Sequence, residues 1–277
     1  MFGSSGMAGH VITRYFESLN KYKITNIALE KLNDKTIIAN VEEKQLVKEI
    51  ISKYKPHIII NCIGLLVKAS LNHPDLAIYL NSFFPHYLAK LGREMKFKLI
   101  HLSTDCVFSG HKGDYSEYDF KDAEDMYGRT KALGEIINNK DLTFRLSIIG
   151  PEIRENATGL FHWFLTQKGE ISGYSKVYWT GVTTLELAKA IDSAIEQNLT
   201  SLYHLVPKKK ISKFELLNLI KEVWRKSIKI KKVDEPKLDK SLINNRRDFK
   251  YEIPDYRKML TELYEWMKNW NYRKYNQ

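Results

Sequence analysis

Hydrophobic positions in the first two-thirds of the chain form short continuous runs separated by longer amphipathic stretches. Each run predicts a buried strand, at residues 24–29, 36–41, 57–67, 97–103 and 142–150. The stretches at 42–54 and 74–95 carry apolar residues at helical spacing, and the second contains Pro85, where we expect a kink. Strands that alternate with helices predict a parallel sheet covered on both faces. The expected fold class is therefore α/β with a doubly wound parallel sheet.

The pattern becomes less regular after Gly150 and Pro151. Helices are predicted at 159–170, 183–197 and 212–226, with a short strand at 201–206. Arg145, on the strand before Gly150, is typical of a structural arginine rather than a catalytic one. This change of pattern predicts a second and smaller structural unit in the C-terminal part of the chain.

A glycine-rich segment opens the chain. Gly3, Gly6 and Gly9 precede a predicted helix, a pattern typical of a turn whose amides approach a pyrophosphate at a helix N-terminus. Such a turn normally follows a strand of about five residues. Met1 and Phe2 alone precede it here. We therefore expect a truncated first strand that leaves its two neighbours unpaired, or a native start upstream of Met1.

Tyr127 and Lys131 carry the strongest chemical signal. Residues four apart on a helix lie on one face, and an ammonium beside a phenol lowers the pKa of the phenol. Thr104 follows a predicted strand, at the edge of the sheet where open α/β folds bind ligands. The three side chains together predict proton delivery to a carbonyl that is being reduced by hydride.

Composition and charge narrow the remaining possibilities. The chain has 277 residues, 43% of them hydrophobic, and the apolar run at 57–67 is too short to span a bilayer, so we expect no membrane partner. The net charge of +11 suits an anionic ligand, but the basic clusters at 207–210 and 226–232 accompany no nucleic-acid-binding motif. Cys62 and Cys106 resemble small buried hydrophobes in a reducing compartment, which favours a cytoplasmic location and no nucleic-acid partner.

Four motifs together resemble those of the extended short-chain dehydrogenases/reductases. They are the Gly3/Gly6/Gly9 loop, residues 61–64 (NCIG), 103–110 (STDCVFSG) and 127–135 (YGRTKALGE), and the closest match is the dTDP-4-dehydrorhamnose reductase family. The resemblance implies a Rossmann-like dinucleotide-binding domain at 1–150, to which segments near 175–200 return. It also implies a mainly substrate-binding domain at 151–277.

The resemblance also implies roles for individual residues. Thr104, Tyr127 and Lys131 match the catalytic residues of the family, in which the tyrosine protonates the oxygen at C4 of a nucleotide-linked 4-keto-6-deoxyhexose and the lysine also binds the nicotinamide ribose. Glu30 would hold the adenosine ribose, and Asn40 replaces an aspartate that faces the adenine. The other expected cofactor-binding residues, with Tyr127 and Lys131, are Gly3, Ser5, Gly6, Met7, Gly9, Asn61, Cys62 and Ile63.

Several properties stay open at this point. NADH and NADPH are both compatible with the sequence, because Lys31 lies beside Glu30. Some members of the family use Mg²⁺ at a dimer contact, but no residue here identifies such a site, and a homodimer is possible. The sugar could be linked to dTDP or UDP. Thr183 stands where the family has a proline in its substrate loop, which leaves the identity of the sugar open.

Two other activities and one non-catalytic role are alternatives to reduction. Sugar-nucleotide 4,6-dehydratases carry a glutamate where this chain has Cys106, and a thiol is a poor replacement for a carboxylate base. A 4-epimerase could use the same Tyr127–Lys131 pair with tightly held NAD. A third possibility is a catalytically silent subunit, because the regulatory subunit of methionine adenosyltransferase resembles this family.

Overall fold

The computed structural model describes residues 1–155, 157–270, 272 and 275. Within these residues the helices, labelled α1 to α10 in chain order, are Met7–Ser18, Lys44–Tyr54, Val67–Asn72, Pro74–Ala77, Phe84–Glu94, Met126–Leu133, Leu160–Thr166, Thr184–Glu196, Lys213–Val223 and Tyr256–Lys268. The strands there, labelled β1 to β13, are Ile27–Ala28, Ile37–Ile38, Ile58–Asn61, Lys98–Thr104, Leu142–Leu146, Ile148–Ile149, Glu170–Tyr174, Val177–Trp179, Val182–Thr183, Ser201–His204, Ile211–Ser212, Lys229–Val233 and Leu238–Asp239. The predicted α/β fold class is confirmed.

A parallel sheet forms the centre of the molecule. Its strands lie in the order β10-β5-β4-β3, and every neighbouring pair is parallel. Beyond β3, Phe2 forms parallel bridges with both Asn61 and Ile27, and β1 continues the sheet to β2. The carboxyl ends of all these strands therefore meet at one edge, which is where the predicted site residues lie.

The first two residues pair with both neighbouring strands. Phe2 N donates to Ile60 O at 2.9 Å and Phe2 O accepts from Cys62 N at 3.0 Å, while Met1 O accepts from Ile27 N at 2.9 Å. The expectation that both neighbouring strands would be unpaired is therefore wrong beside Met1 and Phe2. Two residues suffice there because successive residues of a strand present their backbone groups to opposite sides. Beyond Met1, a cavity of about 500 Å³ lies between the two neighbours.

The central strands are buried because helices cover both faces of the sheet. Ile100, Leu142 and Phe144 are each 0% exposed, and α1 and α8 contribute buried side chains to the same core. A second apolar core joins α7, α9 and α10 in the C-terminal part of the chain, and Trp179 belongs to it.

The helical segment predicted at 74–95 contains a wider turn than expected. Between α4 and α5, Ile78–Phe83 forms a π-helix, and Pro85 lies in the first turn of α5. Proline lacks an N–H group and cannot complete the preceding α-helical turn, so a wider turn at this place accommodates it. The irregularity thus precedes Pro85 and takes the form of a π-helix.

Candidate active site

The loop after β4 orients the hydroxyl of Thr104. Its oxygen accepts a hydrogen bond from Cys106 N at 3.1 Å, and its hydrogen is donated to Asp105 Oδ1 at 3.1 Å. Asp105–Val107 form one turn of 3₁₀-helix directly after the strand. The strand end and this turn therefore hold Thr104 at the carboxyl edge of the sheet, as the sequence predicts.

Helix α6 brings Tyr127 against this loop. Asp125 caps the helix by accepting a hydrogen bond from Gly128 N at 2.8 Å. A Cβ atom on Gly128 would lie 2.2 Å from Cys106 O, so only glycine permits this approach. The phenol of Tyr127 consequently lies within hydrogen-bonding reach of Thr104.

The pKa of the Tyr127 phenol is raised, not lowered. Removal of water from around the phenol is the main cause, and the neighbouring Cys106 and Asp105 act in the same direction, while the hydrogen bond with Thr104 opposes them. The expectation that Lys131 lowers this pKa is therefore wrong. Tyr127 keeps its proton at neutral pH and can act as a proton donor.

Lys131, one turn after Tyr127 on α6, is buried and faces the segment after β3. Its ammonium donates a hydrogen bond to Leu102 O at 2.6 Å and lies 3.9 Å from the place that a Cβ on Gly64 would occupy. Burial lowers the pKa of Lys131 to about 8, although Glu135 and Cys62 act to raise it. The charge of Lys131 is thus directed at residues expected to line a cofactor.

A buried ion pair fixes the end of the catalytic helix to the sheet. Glu135, just after α6, accepts hydrogen bonds from Arg145 Nε and Nη2, both at 2.7 Å, and from Ser103 Oγ at 2.7 Å. Arg145 Nη1 also contacts His204 Nε2 at 2.8 Å, and burial lowers the pKa of His204 to about 3, so this imidazole stays neutral. The structural role predicted for Arg145 agrees with these contacts.

Asn81 is a site residue that the sequence analysis missed. It lies in the π-helix and is 0% exposed. Its Oδ1 accepts from Leu65 N at 2.8 Å, and its Nδ2 donates to Leu65 O and to Thr130 Oγ1, each at 3.1 Å. Asn81 therefore ties the loop after β3 to the catalytic helix. The proline just after a helical stretch was the available signal, but spacing alone could not pair Asn81 with Leu65.

The glycine loop adjoins the same segment. Gly3 has a φ of +79°, and a Cβ added to it would lie 3.0 Å from Ile63 and 3.1 Å from Cys62. A Cβ on Gly9 would lie 2.0 Å from Gly3 O, so the turn before α1 requires glycine there. Gly6, whose N–H donates to Gly3 O at 3.1 Å, immediately precedes Met7, the first residue of α1.

Two expected cofactor-binding side chains share a partner. The guanidinium of Arg154 lies 3.2 Å from Glu30 Oε2 and donates from Nη2 to Ser5 Oγ at 3.2 Å. Arg154 therefore spans the distance between the glycine loop and Glu30, which follows β1. Sequence analysis did not single out Arg154, because only folding brings it there.

The other residues expected to bind the cofactor lie in two places. Asn61 Oδ1 accepts from Ile63 N at 3.2 Å, which stabilises the segment beside Lys131. Burial raises the pKa of the Cys62 thiol to about 12, so this thiol stays neutral. Asn40 bonds to Glu42, beyond β2. The structure thus brings Thr104, Tyr127, Lys131, the glycine loop and 61–63 together. The catalytic and cofactor-binding roles of these residues, and that of Asn40, stay predictions.

Across the described ranges, no three His, Cys, Asp or Glu side chains are grouped to hold a metal ion, and no helix is long and apolar enough to cross a membrane. A cavity of about 750 Å³ lies beside β10 and is lined by residues such as Tyr203, Arg246 and Tyr251. The residues around this cavity do not include Thr104, Tyr127 or Lys131.

Known proteins resemble the chain in part or over its whole length. The model of the family described as RmlD substrate binding domain matches residues 1–264. Methionine adenosyltransferase 2 subunit beta from Bos taurus is 30% identical over 134 residues, which are 48% of this chain and 40% of that protein. A dTDP-4-dehydrorhamnose reductase from Aggregatibacter actinomycetemcomitans is 28% identical over 138 residues, which are 48% of this chain and 44% of that protein.

Solved structures share the fold over almost the entire chain. The dTDP-4-dehydrorhamnose reductase from Bacillus anthracis in complex with NADP has a TM-score of 0.81 and 20% identity, and the match covers 95% of this chain and 97% of that one. The sequence matches, by contrast, span less than half the length of the two relatives named above. On the family match, which extends over residues 1–264, the chain belongs to the RmlD substrate binding domain family.

Proposed function

We propose that the protein is a reductase that uses NADH or NADPH to reduce the 4-keto group of a nucleotide-linked 6-deoxyhexose, in the synthesis of surface polysaccharide precursors. The observation that carries this proposal is the convergence of Thr104, Tyr127 and Lys131 at the carboxyl edge of the sheet. The dTDP-4-dehydrorhamnose reductases among the relatives support the choice of substrate class.

The residues present fit a nicotinamide dinucleotide. The turn before α1 packs closely on the helix, since a Cβ on Gly9 would lie 2.0 Å from Gly3 O. The helix N-terminus after Gly6 favours negative charge. Arg154 adds a positive charge between Ser5 and Glu30. When bound, the nicotinamide supplies hydride to the carbonyl carbon. The solved relative from Bacillus anthracis was determined with NADP, which supports this assignment.

The chain itself supplies the proton. Tyr127 retains its phenolic hydrogen because desolvation raises its pKa, and this hydrogen passes to the oxygen on which negative charge develops. Lys131, whose ammonium lies beside Leu102 O and Gly64, would hold the nicotinamide ribose. Thr104 currently donates to Asp105, so it must rotate its hydroxyl before it can donate to the substrate oxygen. This rotation leaves its hydrogen bond from Cys106 N in place.

The raised pKa of Cys106 weighs against a dehydratase. Burial and the neighbouring Asp105 raise the pKa of this thiol to about 12, so it stays protonated and cannot serve as a base near neutral pH. The structure thus gives a physical reason for the preference for reduction over dehydration.

The proposal is tested by turnover of dTDP- and UDP-linked 4-keto-6-deoxyhexoses, followed through loss of absorbance of NADPH or NADH. Tyr127→Phe should lower kcat by roughly 10²- to 10⁴-fold while the melting temperature stays unchanged, because only the donated proton is removed. Tyr118→Phe is the matched control, since Tyr118 is 83% exposed. Equal turnover by the wild type and Tyr127→Phe would refute the mechanism.

A second candidate function is a non-catalytic nucleotide-binding subunit. The 30% identity to methionine adenosyltransferase 2 subunit beta favours it. Such a subunit would bind NADPH without consuming it, and would change the activity of a separate methionine adenosyltransferase when the two are mixed. A 4-epimerase would instead retain NAD through purification and interconvert two nucleotide sugars with no net consumption of NADPH. The keto-sugar assay and these two measurements separate the three functions.

Three further expectations stay predictions. They are the division into a dinucleotide-binding domain at 1–150 and a mainly substrate-binding domain at 151–277, the cytoplasmic location, and a homodimer. A role for Mg²⁺ is likewise unassigned, and addition of a chelator to the turnover assay tests it directly.

A further inference from the structure

Two lysines from the C-terminal half approach the catalytic loop. Lys213 is the first residue of α9, and Lys240 directly follows β13. The charges of both act on Asp105 and Cys106, the two residues that follow Thr104. Neither lysine was singled out from the sequence, because each lies more than a hundred positions from that loop.

The protein provides few partners for the positive charge of the Lys213 ammonium. It lies 5.0 Å from the centre of the Trp179 ring, and burial lowers its pKa to about 8 even though Asp105 and Cys106 act to raise it. Among the described contacts, Lys213 makes no hydrogen bond through its ammonium. A desolvated ammonium normally has hydrogen-bond acceptors, so this position is suited to an acceptor supplied by a ligand.

Lys240 adds a second positive charge to the same place. Its side chain passes close to Gly110, where a Cβ would lie 2.9 Å from Lys240 Cγ. In the described part of the chain its ammonium also makes no hydrogen bond. The charges of both lysines act on the carboxyl group of Asp105, whose pKa is raised by burial. Two ammonium groups around one carboxylate leave an excess of positive charge.

We infer that Lys213 and Lys240 bind the diphosphate of the nucleotide sugar, an inference that rests on the proposed function. The sugar of such a substrate must place its 4-keto oxygen at Tyr127 and Thr104, and its diphosphate is attached across the same ring. A diphosphate also offers several oxygens to two separate ammonium groups, and it is the one group of a neutral-sugar nucleotide that carries charge. The pair thus recognises any sugar nucleotide by its charge and leaves discrimination between sugars to other residues.

A purely structural role for the pair would have different properties. Lysines that served only as counter-ions of Asp105 would bind its carboxylate directly, and one of them would suffice. Instead, the described hydrogen bonds of the Asp105 side chain include the one from Thr104 and none from either lysine. The lysines therefore remain available to a ligand.

The test uses binding of inorganic pyrophosphate, dTDP and thymidine to the full chain, measured by calorimetry. Lys213→Met and Lys240→Met should each weaken dTDP and pyrophosphate binding by roughly tenfold or more and leave thymidine binding unchanged. Lys213→Arg should retain most of the affinity. Lys209→Met is the matched control, because it removes the same charge from an exposed position on the neighbouring segment.

The possible results separate this inference from the proposed reductase. Wild-type affinity for dTDP in both methionine variants, with melting temperatures unchanged, would overturn the inference, and so would a wild type that binds neither anion. Lysine-dependent dTDP binding without keto-sugar turnover would keep the inference and refute the reductase. Where turnover is present, we expect the methionine variants to raise KM and leave kcat nearly unchanged, because the diphosphate is remote from the reacting carbonyl.

Discussion

The buried charge of Lys131 should lower the stability of the fold. Lys131→Met removes an ammonium that is 4% exposed and replaces it with a neutral chain of similar length. The variant should have no reductase activity, because the ammonium that would hold the nicotinamide ribose is lost. We nevertheless expect it to resist unfolding at pH 7 better than the wild type.

The magnitude follows from the pKa of Lys131. Burial lowers this pKa from 10.5 to about 8, so between these values the unfolded chain binds more protons than the folded chain. The wild type therefore gains stability as the pH rises through this window, and below it the buried charge costs about 3 kcal/mol. Loss of the hydrogen bond to Leu102 O offsets about 1 kcal/mol of this gain. The variant should be more stable by about 2 kcal/mol at pH 7.

Urea unfolding at pH 7 and pH 10 measures this difference. The advantage of Lys131→Met should largely disappear at pH 10, because the folded wild type then holds Lys131 in its neutral form and no longer buries a charge. Lys90→Met, at a position with a side chain 64% exposed, should show no such pH dependence. A difference between wild type and Lys131→Met that is the same at both pH values would show that burial of this charge has no energetic cost.

Two further predictions concern the support of the catalytic helix. Glu135→Leu leaves the guanidinium of Arg145 buried without its carboxylate, and should lower the free energy of unfolding in urea by about 3–5 kcal/mol; a loss below about 1 kcal/mol would contradict the anchoring role. Gly128→Ala places a methyl group 2.2 Å from the position of Cys106 O, so α6 must move away from the loop. It should therefore reduce kcat far more than it reduces the melting temperature, and wild-type kcat would show that the close approach is unnecessary.

The sequence contained enough information to predict that Thr104, Tyr127 and Lys131 lie at the end of a strand and on one helix, but not to describe their environment. Thr104, Tyr127 and Lys131 could be predicted because a strand end and a helical spacing are local features. The sign of the pKa change of Tyr127 could not, since it depends on how much water the folded chain removes. Asn81, Arg154 and Lys213 are brought to the site by contacts between distant segments, which spacing does not reveal. The predicted strand at 24–29 was too long for a related reason: β1 ends where pairing with its neighbours ends.

The π-helix at Ile78–Phe83 has a consequence for how this protein can evolve. A π-turn contains about one residue more than an α-turn and forms weaker hydrogen bonds. Deletion of one residue there would restore regular α-helical bonding, but it would rotate Asn81 by about 100° relative to one flank of the helix. The amide would then no longer join Leu65 to Thr130. Selection for stability alone would favour such deletions. We therefore expect the extra residue to persist in descendants that still need Asn81 to join the loop after β3 to α6.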